Sequence, residues 1–464
     1  MLAPFRLDGP PPAPVAAPAP PVPPTSRPLV AIGSPDRVRE QPPEVRRRPE
    51  KGPPRRTGTR RRFPFRFRGR LLAVLALLVV VVAGVVVGAR LHDPAPVAQV
   101  KAVETSSVSV PNSTETLPWP TMGQGAIAVP SIGIDVASAP EMPVPVASLT
   151  KLMTAYVILH DHPLEPGQSG PHITITQANV DDYDEDTVQD ESNAEVTLGE
   201  DLTEFQMLDG MLVHSANNLA LALARWDAGG IAAFVAKMNQ TAQKLGMDQT
   251  HYADPSGFDQ TSQSTASDLL KVAGPDMTNP VFAAIVKQTS VTLPVAGTIS
   301  TYTPLLGVQG VIGVKSGFTT QAGGCDVLAV VRKAHGLPVL IVAAVTGQTG
   351  ANAVNVAGLH ALDLANTVGT DIGATAVVKA GQVVAHVSVA GHTAAATVNS
   401  TIKVLSWPGV RASRLFTATR TITPGTRQGT RIGSIVVSLG TQRFTVPVRL
   451  NASLPKESLL RRIF

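Results

Sequence analysis

The sequence predicts an α/β layered domain beyond a single membrane span, followed by a small C-terminal β domain. Three observations predict it. Residues 71–89, "LLAVLALLVVVVAGVVVGA", run nineteen positions without a charge. Between about 118 and 370, stretches with helical apolar spacing alternate with apolar strands joined by tight turns. From about 371 the pattern changes to short alternating stretches such as "GQVVAHVSVAG" and "GSIVVSLGTQRFTVPVRL", as expected of half-buried strands. A chain of 464 residues has room for two or three domains plus tails.

The N-terminal 70 residues carry sixteen Lys/Arg against five Asp/Glu, a net of +11; the whole chain carries +5, so the remainder carries −6. The basic balance therefore belongs to the tail. Within it, "GPPPAPVAAPAPPVPPTSRP" (9–28) is proline-rich and expected to stay extended or disordered. Residues 46–70 hold arginine clusters, among them Arg46-Arg47-Arg48 and Arg60-Arg61-Arg62. The run at 71–89 roughly matches a ~30 Å hydrocarbon core at about 1.5 Å per residue. It is too long and uniform for the apolar region of a cleaved signal peptide. Arginines abutting its N-terminal end place the disordered Pro/Arg-rich tail 1–70 in the cytoplasm and everything beyond about 90 outside a cell membrane. Nucleic-acid binding is the competing reading of the arginines. With only Phe63, Phe65 and Phe67 as nearby aromatics, topology and attraction to anionic lipid account for the charge better. The proline-rich segment suits cytoplasmic partners.

Residues 90–117, rich in Pro, Ser, Thr and Val, read as an extracytoplasmic linker. "GAIAVPSIGIDVAS" (125–138) reads as two short strands around a turn at Pro130 to Gly133. In "VPVASLTKLMTAYVILH" (144–160), Leu149, Leu152, Met153, Tyr156, Val157 and Leu159 fall at helical spacing, and Pro145 favours a start near Ser148. The acidic "DDYDEDTVQDESNAE" (181–195) lacks the glycine of a calcium loop and reads as a solvated loop. "LTEFQMLDGMLVHSANNLALALARW" (202–226) reads as two helices interrupted around His214 to Asn217, and 231–246 as another. "CDVLAVVRKAHGLPVLIVAAVTG" (325–347) gives two apolar strands joined at His335 to Pro338, and 355–369 a closing helix. A small β domain over 371–454 and a short tail, 455–464, complete the chain.

One cysteine, Cys325, excludes an intrachain disulfide framework and a cysteine-rich metal site. No H-E-x-x-H occurs. His160, His162 and His214 show no ligand spacing and read as surface or helix-end residues; Cys325 reads as a buried small hydrophobe. No metal or cofactor is expected.

Ser148 and Lys151 stand three apart on one helix face. Alone, they read as an N-cap and a snorkelling lysine, or as a hydroxyl beside a partly buried lysine able to take its proton. "HSANN" then supplies Ser215 and Asn217, and "VKSGFT" supplies Lys315, Ser316 and Gly317. The order S-x-x-K, S-x-N, K-[ST]-G resembles that of the penicillin-recognising serine acyl-transferases. "ASLTKLMTAYVIL", "FVAKMNQTAQKLGMDQTHYADPSGFD" (234–259), "STASDLLKVA" (264–273) and "GVKSGFTTQAGGC" resemble one branch of these, the D-alanyl-D-alanine carboxypeptidases or low-molecular-weight penicillin-binding proteins. The resemblance covers roughly 118–370. It implies a β-lactamase/transpeptidase-like fold with helices on both faces of an antiparallel sheet.

The resemblance also implies roles. Ser148 would attack a peptide carbonyl and form an acyl-enzyme. Lys151 would be its base, if burial and neighbouring Lys315 depress its proton affinity. Ser215 would carry a proton towards the departing amine, and Asn217 would donate to the substrate backbone. Lys315 and Ser316 would hold a terminal carboxylate, with Gly317 leaving room along the strand edge. The backbone N–H groups of Ser148 and Phe318 would form the oxyanion hole. The departures, Lys-Ser-Gly where Lys-Thr-Gly is frequent and an alanine inside the second motif, remove no catalytic group.

The expected function is removal of the terminal D-alanine from peptidoglycan stem peptides ending in D-Ala-D-Ala, with inhibition by β-lactams. A β-lactamase of the same architecture is the nearest competing reading. Such enzymes often use a glutamate after the second motif, and none lies between Asn217 and Lys315. A transpeptidase joining two stems and a catalytically silent scaffold of the cell-wall machinery are also compatible with the motifs.

Overall fold

The computed structural model describes residues 66–93, 97–103, 107–111, 116–418 and 421–458, with 460 and 463; the proline-rich and arginine-cluster stretches before residue 66 lie outside them. Two units are distinct, Pro96–Lys456 and a second that holds the apolar helix with the residues after Lys456.

The apolar helix runs Arg66–His92, 27 residues, about 40 Å at 1.5 Å per residue. It outruns the uncharged stretch at both ends because arginine is itself a good helix former. The segment Gly69–His92 is long and apolar enough to cross a membrane.

In the larger unit, a five-stranded antiparallel sheet is built from β1 (Gln124–Val129), β2 (Ile134–Ala137), β3 (Val311–Thr319), β4 (Gly323–Ala334) and β5 (Leu337–Gln348). Their spatial order is β3-β4-β5-β1-β2. The helices of this unit are α1 (Thr150–Asp161), α2 (Gln177–Val188), α3 (Glu204–Val213), α4 (Asn217–Ala228), α5 (Ile231–Lys244), α6 (Ala266–Thr278) and, after the short Pro280–Ile285, α7 (Ala353–Asp371). Side chains alternate between faces along a strand, and β4 shows it. Val327 and Ala329 join the core that holds α1, α3, α4, α5 and α6. Leu328 and Val330 point the other way, into a second core with α7. Helices thus cover both faces, as the sequence resemblance implies.

Three sequence expectations are corrected. The segment 90–117 is not only a spacer: Gln99–Ala102 and Ser107–Ser109 form the two outer strands of a seven-stranded antiparallel sheet, pairing Val383–Val389 and Arg411–Ala418. Nor is the C-terminal β region separate. Val377, Val387, Ile435 and Val437 share one apolar core with Ile127 and Val129 of β1 and Ala361 and Leu364 of α7. Gln442 closes that junction, its Nε2 donating to Ser131 O and Leu405 O at 2.8 Å each while its Oε1 accepts from Leu405 N at 2.8 Å.

The third correction concerns the acidic stretch, which is largely helical and forms most of α2. No apolar periodicity announces it. Instead Thr176 and Asn179 form a reciprocal capping box at its start, and Arg225 on α4 forks onto both oxygens of Asp182. Asp186 turns inward and is buried.

Candidate active site

The turn before α1 brings Ser148 to the mouth of a cavity. A single 3-10 turn, Ala147–Leu149, precedes the helix, and Ala147 adopts φ +49°, a left-handed conformation that costs a non-glycine residue about 1–3 kcal/mol. Two glycines permit that turn. Gly257, at φ +84°, lies so close that a Cβ there would stand 1.9 Å from Ala147 O. Gly317 on β3 passes the other side, where a Cβ would stand 2.9 Å from Ser148 N. Glycine at 317 thus also leaves room for the turn that carries Ser148.

Lys151, one helical turn on, is completely buried. Its Nζ donates to Ser148 Oγ (2.9 Å), Asn217 Oδ1 (2.6 Å) and Ser256 O (2.8 Å). Burial pulls its pKa from 10.5 down to about 8, opposed by the charges of Asp254, Asp186 and Glu191. Burial, and not Lys315, is the dominant cause. The repulsion between the two lysines is felt at Lys315, whose pKa burial also pushes well below 10.5, with Asp326 pulling the other way. Lys315 Nζ donates to Ser316 O at 2.8 Å. Asp326, directly across from Ser316 in the β3–β4 register, is pushed up to about 8 by burial.

The break between α3 and α4 brings the second pair into place. Ser215 has φ +65°, and Asn217 opens α4 with its N–H bonded to Ser192 O at 2.7 Å. Asn218 clamps the same segment, donating to Ala194 O (2.8 Å) and accepting from Ala194 N (3.1 Å). Of the residues singled out in the sequence, Ser148, Ser215, Asn217, Ser316, Gly317 and Phe318 line one cavity of about 940 Å³. Lys151 and Lys315 lie behind its wall, buried. The Ser316 hydroxyl donates to Tyr302 O at 3.0 Å.

Sequence reasoning missed two contributors. "DPSGFD" is a loop folded around one carboxylate: Asp254 Oδ2 accepts from Ser256 N (3.1 Å), Gly257 N (2.8 Å) and Phe258 N (3.1 Å), and Oδ1 accepts from Ser262 Oγ (2.7 Å). That loop presents Ser256 O to Lys151 and is pinned to α1 by Thr154 Oγ1, which donates to Pro255 O at 2.7 Å. Asp-Pro-Ser-Gly, residues 254–257, is a local turn signal that could have been read. The other is Glu191, which lines the cavity and accepts from Asn217 Nδ2 at 3.4 Å.

The remaining residues are placed as follows. His214 contacts Ser300 O at 2.7 Å and His162 meets Asp227 at 3.0 Å. No cluster of three or more metal-ligating side chains occurs among the described residues. Cys325 is buried, and burial pushes its thiol up to about 12.

A buried lysine beside a serine hydroxyl, at the wall of a cavity with hydroxyl, amide and backbone N–H groups, is chemically equipped for acyl transfer through serine. Comparison with known proteins agrees. A profile of the Peptidase_S11 family, described as D-alanyl-D-alanine carboxypeptidase, matches residues 134–346. The D-alanyl-D-alanine carboxypeptidase of Streptomyces sp. (strain K15) is 32% identical over 203 residues, 40% of this chain and 67% of that one. The D-alanyl-D-alanine carboxypeptidase DacB2 of Mycobacterium tuberculosis is 38% identical over 134 residues, 27% of this chain and 46% of that one. In fold, the chain is similar to penicillin binding protein 5 from Haemophilus influenzae, with a TM-score of 0.52 at 18% identity, over 74% of this chain and 99% of that one.

Proposed function

Because the chain belongs to the D-alanyl-D-alanine carboxypeptidase family, we propose that Ser148 forms an acyl-enzyme with stem peptides ending in D-Ala-D-Ala and that water then releases the shortened peptide. The observation that carries this reading is the 2.9 Å hydrogen bond between Ser148 Oγ and a fully buried Lys151 Nζ. With a pKa near 8, roughly a tenth of Lys151 is neutral at pH 7, against roughly one part in 3,000 at the ordinary value. The neutral amine takes the hydroxyl proton as Oγ attacks. The peptide C–N bond breaks, and the departing D-alanine amine takes a proton relayed from Lys151 by Ser215. The N–H groups of Ser148 and Phe318 face the carbonyl oxygen as it becomes an oxyanion, a contribution of about 10²–10³ in rate per donor. Asn217 donates to the peptide backbone. Lys315, acting with the Ser316 hydroxyl, attracts the terminal carboxylate.

β-Lactams, which mimic that terminus, acylate the same serine. The apolar helix anchors the enzyme in the cell membrane with the arginine-rich segment inside and the cavity outside. The proline-rich tail is available to cytoplasmic partners. The test is intact-protein mass of the whole chain in detergent after incubation with benzylpenicillin, beside Ser148→Ala. A one-to-one adduct that needs Ser148 is expected. No adduct with the drug intact would sink the mechanism; no adduct with the drug consumed would make the protein a β-lactamase.

A further inference from the structure

We propose that Glu191 is the base that takes the proton of the water attacking the acyl-enzyme, an inference that rests on the acyl-enzyme reading above. The stretch between Asn217 and Lys315 contains no glutamate, but the fold delivers one to the site from before the second motif. Asp190 turns the chain at φ +57°. Glu191 N then donates to Asp186 O at 2.8 Å, and Ser192 O accepts from Asn217 N at 2.7 Å. Glu191 is thereby held from both sides, and its side chain, half-buried, lines the same cavity as Ser148.

Its carboxylate belongs to a continuous chain that ends at the nucleophile. Oε2 accepts from Asn217 Nδ2 at 3.4 Å; Oδ1 of the same amide accepts from Lys151 Nζ at 2.6 Å; Nζ donates to Ser148 Oγ at 2.9 Å. The nearby carboxylates are otherwise engaged. Asp254 is occupied by its loop, and Asp186 is buried away from the cavity lining. Asp190 lines the cavity but makes no hydrogen bond to this chain of groups. The charged groups acting on Glu191 are Lys151, which favours its ionised form, and Asp190 and Asp186, which oppose it; burial raises its pKa, as suits a base, while Lys151 and the Asn217 hydrogen bond pull it down.

In the step, a water O–H bond breaks, the proton passes to the Glu191 carboxylate and the oxygen bonds to the acyl carbon. As the tetrahedral intermediate collapses, the bond from carbon to Ser148 Oγ breaks and Oγ takes a proton from Lys151, which has regained one from solvent after acylation. Cavity water returns the Glu191 proton to Lys151. Acyl ester and water become carboxylic acid and free serine, with no other reactant.

The experiment follows the lifetime of the benzylpenicillin adduct on the whole chain in detergent after removal of free drug, for wild type, Glu191→Gln, Glu191→Asp and, as a control at an exposed carboxylate outside the cavity lining, Glu195→Gln, with melting curves for each. General-base catalysis contributes about 10²–10⁴, so Glu191→Gln is expected to lengthen the lifetime by about 10²-fold or more. Glu191→Asp should fall between it and wild type, and Glu195→Gln should stay within about threefold of wild type. Wild-type deacylation should quicken with pH as Glu191 ionises, and that limb should vanish in Glu191→Gln. A Glu191→Gln lifetime within about threefold of wild type, or a loss of labelling with unchanged melting, overturns the assignment while leaving the acyl-enzyme reading intact. Absence of a wild-type adduct with the drug intact defeats both. If Glu191→Gln melts early, Glu191→Asp decides by the same lifetime, since it keeps the charge and shortens the reach.

Discussion

Replacing Lys151 by arginine tests the claim that burial makes this lysine a base. The amine is completely buried and gives its three hydrogens to Ser148 Oγ, Asn217 Oδ1 and Ser256 O. The fall from 10.5 to about 8 corresponds to about 3 kcal/mol in favour of the neutral form. Acylation should therefore climb about tenfold per pH unit below about 8 and level off above it. The groups facing Lys151 are Asp254, Asp186, Glu191 and Lys315. Asp186, pushed up to about 7 by burial, raises the proton affinity of Lys151 as it ionises and flattens the climb between 6 and 8. Arginine stays protonated with a pKa above about 12, so the fraction able to accept a proton falls by roughly 10⁴ or more. The assay is the growth rate of the benzylpenicillin adduct from pH 5.5 to 9.5, followed by mass. A profile flat across pH 6 to 9, or Lys151→Arg acylating within tenfold of wild type, would refute the reasoning.

Gly257→Ala should be costlier than an ordinary glycine substitution, because the residue sits at φ +84° and its Cβ would meet Ala147 O at 1.9 Å. A loss of about 2 kcal/mol or more in chemical denaturation and at least a tenfold drop in labelling are expected, and wild-type values in both would contradict the close approach. Arg225→Ala removes the fork onto Asp182; because the pair is partly exposed, global stability should fall by only about 1 kcal/mol. Amide exchange across 177–191 should nevertheless quicken, and unchanged exchange would show that the capping box alone holds α2. Asp276 is buried and its pKa is raised well above 3.8. A raised carboxyl stabilises the fold below its unfolded value and loses that contribution as pH rises. Asp276→Asn should therefore gain on wild type in melting temperature from pH 4 to pH 8, whereas parallel curves would place the ionised form in the fold.

The layered architecture was legible because its signals are local. Apolar spacing marked α1, α3 and α4, and uninterrupted apolar runs marked β4 and β5. The three motifs were legible because their chemistry demands particular residues in a fixed order, and the fold gathers five of those residues around one cavity. What escaped depended on distant partners. Helix α2 carries no apolar stripe and is held by a cap and by Arg225, 43 positions away from Asp182. Glu191 looked like part of a solvated acidic run because nothing in its neighbourhood names Asn217 as a partner. The strands at Gln99–Ala102 and Ser107–Ser109 are too short to stand out from a linker and exist only by pairing with Val383–Val389 and Arg411–Ala418. The shared core of the β region had the same cause, since alternation shows that a strand has an apolar face but not what covers it.

The central sheet is a party wall. One face of β4 supports the helices that carry Ser148 and Asn217, and the other supports the core shared with α7 and the C-terminal strands. Heat or denaturant that strips the C-terminal strands would leave the far face of that wall open to water. The two halves should therefore melt in a single transition, with calorimetric and van't Hoff enthalpies in agreement. Truncation near residue 370 should leave an aggregating fragment and not a minimal enzyme. Thermal loss of penicillin labelling then becomes a measure of damage anywhere in the C-terminal sheet, far from the serine it reports on.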